Sequence, residues 1–125
     1  MKIRCTTNHV RFRLRKSDLL TIKKEGHLID HIQVGDHAQF QFGIRLQGES
    51  PDLHLEERGI FVHLPHTLFE EWATSQEVGI ESDISNADGS STGLLIEKDF
   101  PCKDRDDEDK SDTFWELAEQ SPDTC

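Results

Sequence analysis

Apolar and polar positions alternate along much of the chain with the period of a half-buried strand. Lys2–Cys5 and Val10–Arg15 follow this rule, and the turn residues Thr6, Thr7, Asn8 and His9 separate them. Ser17 and Asp18 then open a helix that runs to about Glu25 and stops at Gly26, with Leu19 and Ile22 on its inner face. His27–Val34 reads as a strand, Gly35-Asp36 as a hairpin turn and Ala38–Gln47 as another strand. The same order returns after residue 50. Asp52–Glu56, a turn at Glu57-Arg58-Gly59, and Ile60–Leu64 form a hairpin. A helix follows over Thr67–Thr74, capped by Thr67 with Glu70 three residues on. Glu77–Ile84 and Gly93–Glu97 complete the pattern as strands.

A gapless offset of 50 residues aligns the two runs. Phe12 meets Val62, Leu14 meets Leu64, Leu19 meets Phe69, Ile22 meets Trp72, and Ile44 meets Leu94. The expected domain is therefore residues 1–100, built from repeats 1–50 and 51–100, each strand-strand-helix-strand-strand. The expected fold class is α+β. Eight mostly antiparallel strands and two helices, from a duplicated ββαββ unit, form a barrel-like or strongly curved sheet, because closure removes edge strands. The inward phase places Phe12, Leu14, Leu19, Ile22, Phe40, Phe42, Val62, Leu64, Phe69, Trp72, Leu94 and Ile96 in the core.

Charge changes the picture at the end of the chain. Residues 1–48 carry a balance of +5 and residues 49–125 one of −16, which together give the net −11. Residues 101–125 read as an acidic, largely flexible tail with room for one short helix near Thr113–Ala118. The acidic total argues against non-specific nucleic-acid binding. No run of apolar residues is long enough for a membrane span, and the N-terminus has no secretory core segment, so a cytoplasmic protein is expected. Cys5, Cys102 and Cys125 are too scattered for a disulfide framework.

Met1-Lys2-Ile3-Arg4, Val10–Leu14, Lys16-Ser17-Asp18, Leu95–Phe100, Cys102 and Glu108-Asp109 resemble a family of short bacterial proteins without an assigned function. The resemblance implies a single domain and no particular chemistry.

Candidate chemistry is sparse. Alternation brings Lys2 and Arg4 to one face, and Arg11, Arg13 and Arg15 to one face; with Arg45 these form a candidate anion-binding set, since a guanidinium fork grips phosphate or carboxylate. Beside a tail that hangs in solvent stands the alternative of one that folds back over Arg11, Arg13 and Arg15 as a cover. The layout is similar in outline to triphosphate tunnel enzymes, but where those carry Glu-x-Glu-x-Lys this chain has Lys2-Ile3-Arg4-Cys5. The acidic run Asp104–Asp109 lacks the glycine and the distal glutamate of a calcium loop. Lys103 and Arg105 flank Cys102 without the spacing of a cysteine phosphatase. The seven histidines form no zinc motif, although His54 and His63 come close across a hairpin. No catalytic residues, metal site or cofactor are expected. The leading reading is a non-enzymatic binding or accessory module whose partner is a protein or a small anionic ligand, with no membrane role. The alternative is an anion-binding phosphohydrolase working inside a barrel.

Overall fold

The computed structural model describes residues 1–99. The expected tail, its short helix, Cys102, the acidic run and the fold-back over the arginines lie outside the described residues. The elements in chain order are β1 (Lys2–Thr6), β2 (His9–Leu14), α1 (Lys16–Glu25), β3 (His27–Val34), β4 (Ala38–Leu46), β5 (Asp52–Glu56), β6 (Gly59–Leu64), α2 (His66–Thr74), β7 (Gly79–Ser85) and β8 (Ser91–Lys98). Eight strands and two helices stand where the periodicity predicts them, with ends shifted by at most about two residues.

The expected barrel is not formed. The strands make two separate four-stranded mixed sheets, sheet A in the order β1-β2-β8-β7 and sheet B in the order β3-β4-β6-β5. Each hairpin is antiparallel, but the central pairs β2–β8 and β4–β6 are parallel. The expectation failed because it let short loops dictate every neighbour. A tight turn does force β1 against β2 and β3 against β4. A helical connection imposes no such adjacency, and α1 and α2 each carry the chain from one sheet to the other. Each sheet thus combines a hairpin from the first half with one from the second.

The register shows where a gapless alignment breaks down. β2 begins at His9 and β6 at Gly59, 50 residues apart. Opposite them stand Gly93 and Gln41, which are 52 apart. Two additional residues therefore enter between α2 and β7. A shift of two keeps every side chain on its own face, so the inward phase survives: Leu94 and Ile96 are both buried.

The inner faces of both sheets and one face of each helix share one cluster. Val10, Phe12 and Leu14 of β2, Phe42 and Ile44 of β4, Val62 and Leu64 of β6, and Leu94 and Ile96 of β8 are buried together with Ile22 of α1 and Phe69 and Trp72 of α2. Leu19 and Phe40, expected inside, are half-buried and pack against this cluster. Helix α1 starts one to two residues earlier than the cap reading implied. Arg15 is its N-cap, and Asp18, in the first turn, accepts the Arg15 backbone N–H at 2.8 Å. The same buried carboxylate holds the Met1 ammonium at 3.1 Å. Gly26 ends α1 at φ 81°, a left-handed conformation suited to glycine. At the end of α2, the Lys98 ammonium reaches in from β8 and donates to the carbonyls of Trp72 (3.0 Å) and Ser75 (2.7 Å), where the helix presents its negative pole.

Phe69 of α2 is 1% exposed and belongs to the shared core cluster. Phe69→Ala should destabilise the fold by about 3–5 kcal/mol, the range for truncating a buried aromatic. A urea denaturation midpoint unchanged by the substitution would contradict this packing.

Candidate functional site

The two outer faces carry the polar chemistry, and they differ. On sheet A, cross-strand register places Lys2 beside Arg13 and Arg4 beside Arg11. The parallel pairing then sets Arg13 beside Glu97. One Glu97 oxygen meets Nη2 and Nε of Arg11, the latter at 2.7 Å, and Nε of Arg13 at 2.9 Å. Asp99 extends the array to Arg13 (3.5 Å) and to Lys2 (3.6 Å). Glu97 is only 6% exposed. An isolated buried carboxylate would be costly, and the two guanidinium groups compensate it directly. Lys98, its neighbour in sequence, points to the opposite face, as strand alternation requires.

The six candidate anion-binding residues do not form one site. Lys2, Arg4, Arg11 and Arg13 share the outer face of sheet A. Arg15 follows the end of β2 and is exposed at the start of α1. Arg45 belongs to sheet B. None of them faces a lumen, because no sheet closes, and the barrel on which a tunnel-type phosphohydrolase depends is not present.

On sheet B the outer face is built around Phe61. This ring is 2% exposed yet stands on the opposite side of β6 from Val62 and Leu64. Its parallel-strand neighbour is Gly43, where a Cβ would run into the Leu28 carbonyl and Ile29 of β3. The Arg45 guanidinium covers the ring at 4.0 Å from the centroid, a cation–π geometry. Arg45 also grips Glu56 with both terminal nitrogens, at 2.6 and 3.3 Å. Its Nη1 lies 3.3 Å from His63 Nε2, and Gln47 Nε2 lies 3.1 Å from His63 Nδ1. His63 stacks on His54 with centroids 4.0 Å apart, and His54 pairs with Asp52 at 3.0 Å.

The pair of histidines was readable from the hairpin. The buried Phe61 was not, because a strand buried on both faces does not alternate. The signal available was the unbroken apolar run Ile60-Phe61-Val62.

Burial, the neighbouring His54 and the Arg45 charge all push the His63 pKa below its ordinary value. The Arg45 hydrogen bonds hold the Glu56 carboxyl below the usual carboxylate range. Among the described residues, no group of three or more His, Cys, Asp or Glu side chains is placed to hold a metal ion. No described helix is long and apolar enough to cross a membrane.

Because His63 binds a proton less readily in the folded state than in the unfolded chain, the folded state loses relative stability as pH falls below the unfolded value of about 6.5. An NMR titration should place the His63 midpoint below that value. His54→Gln should move it upward by removing one opposing charge. A midpoint unaffected by that substitution would contradict the electrostatic contact.

No curated protein and no solved structure matches the chain. A model of the Family of unknown function (DUF7009) matches residues 1–117, which is nearly the whole sequence, and the chain belongs to that family.

Proposed function

We propose that the protein is a non-enzymatic, cytoplasmic binding module that receives a small anionic group, or an acidic segment of a partner protein, on the β1–β2 side of sheet A. The observation that carries this reading is the charge balance there. Four cations, Lys2, Arg4, Arg11 and Arg13, share one face with the carboxylates of Glu97 and Asp99. Register puts Glu81 and Asp83 of β7 on the same face, so among the described residues the positive surplus is confined to its β1–β2 side, on a chain whose total charge is −11.

Glu97 contributes by position as well as by charge. It fixes Arg11 and Arg13, so an incoming anion need not order these long side chains. Arg4 stands beside Arg11 on the same face, is exposed and makes no ion pair with a described residue. It is the residue best placed to contact a ligand from solvent. The fork geometry of arginine favours phosphate and carboxylate over spherical anions.

Titration with tripolyphosphate, followed by calorimetry and by backbone amide shifts, tests the reading. Amides of β1 and β2 should respond, and affinity should fall as salt rises. Arg4→Ala should weaken binding about tenfold, the loss of one charge-assisted contact of about 1.5 kcal/mol. Equal affinity of the variant and the parent chain, or no response from β1 and β2, would overturn it.

A further inference from the structure

The two sheets leave four edge strands, and three of them carry ordinary protection against pairing with other chains. β1 has five residues and bears Lys2 and Arg4. β5 also has five and bears Asp52 and Glu56. β7 has seven and bears Glu81 and Asp83. β3 is different. It has eight residues, His27-Leu28-Ile29-Asp30-His31-Ile32-Gln33-Val34, with no lysine, arginine or proline. Its one carboxylate, Asp30, is turned to the Met1 ammonium at 3.6 Å. Aliphatic side chains are exposed on both of its faces: Ile29 (38%), Ile32 (51%) and Val34 (56%).

The backbone of this edge is also open. Leu46 N–H donates to the Gly26 carbonyl. Antiparallel alternation then assigns the bonded pairs to Leu28/Ile44, Asp30/Phe42, Ile32/Phe40 and Val34/Ala38. His27, Ile29, His31 and Gln33 accordingly turn their N–H and C=O groups away from β4. Among the described residues, no strand or side chain bonds to that edge.

We infer that β3 pairs with β3 of a second copy of this chain, antiparallel across a two-fold axis, joining two copies of sheet B into one eight-stranded sheet. A two-fold perpendicular to the sheet maps each residue onto one of the same face, which restricts the register. Two arrangements give the longest overlap. Centring on Asp30 sets two carboxylates against each other. Centring on His31 pairs residues 28–34 with 34–28 and opposes no two carboxylates. It sets Leu28 against Val34 and Ile29 against Gln33, and its bonded pairs fall on the outward-turned residues 29, 31 and 33. A like partner follows from that register, in which the strand complements itself with no two carboxylates opposed, and charge selects the edge. On a chain of net charge −11, two copies repel over most of their surface, and β3 is the edge with the least formal charge to oppose their approach.

Light scattering coupled to size exclusion reads the outcome on the full chain. The parent protein should run at twice the chain mass of 14.3 kDa at concentrations of about 100 µM. His31→Pro removes an N–H that β4 does not use, so it should give a monomer with an unchanged circular dichroism spectrum. Ile32→Asp should do the same, because this register sets residue 32 against Asp30 of the second copy and the substitution opposes two carboxylates on each side of the axis. Hydrogen exchange on the parent chain supplies a readout that no folding defect can obscure: the amides of Ile29, His31 and Gln33 should gain protection as concentration rises. A monomeric parent at the same concentration, a dimer unaffected by both substitutions, or fast exchange at these amides at all concentrations would overturn the inference. So would protection of these amides that arises only when another protein is added.

Discussion

The parallel pairing at the centre of each sheet is the constraint on which the rest of the molecule depends. β2 lies beside β8, and β4 beside β6, so each sheet is held together by contact between the first half of the chain and the second. Neither half can bury its apolar faces alone, because its two hairpins belong to different sheets. The approach of β4 to β6 is close enough that a Cβ at Gly59 would overlap the Gln41 carbonyl, so glycine is required at that contact. The same pairing creates the polar arrays. Arg13 and Glu97 are register partners across the first contact, and Arg45 and His63 across the second.

Secondary structure was legible in the sequence because it follows from local spacing. Alternation marked the strands, and Gly26 marked the end of α1. The way the strands assemble was less so. A turn of two residues determines its neighbours, but a connection through a helix leaves the destination open. Only the burial of both sheets' inner faces in one core decides it. The two residues added before β7 leave no trace in the pattern for a related reason: an even shift keeps the inside-outside order intact, so the burial of Leu94 and Ile96 follows from either alignment.

The candidate site was legible in parts. Strand alternation placed Lys2 and Arg4, and then Arg11 and Arg13, on common faces, and register brings both sets to one side of sheet A. The role of Glu97 depends on a strand 84 residues away from Arg13, and no local pattern carries that information. Arg45 shares its charge with the other arginines, yet its surroundings are aromatic and imidazole groups on the other sheet. Its guanidinium serves packing over Phe61 as much as electrostatics.

The distribution of strands has a consequence for the order in which the structure can form. Sheet B draws its strands from residues 27–64, a continuous stretch, whereas sheet A joins residues 2–14 to residues 79–98. During synthesis the chain emerges N-terminus first. All the strands of sheet B become available while β8, the parallel partner of β2, is still untranslated. Sheet A must wait for β8, and its closing contacts span most of the domain, the kind of separation that slows folding through the entropy of loop closure. Arg11 and Arg13 wait with it, solvated, until Glu97 arrives and the two ends of the domain are clasped together.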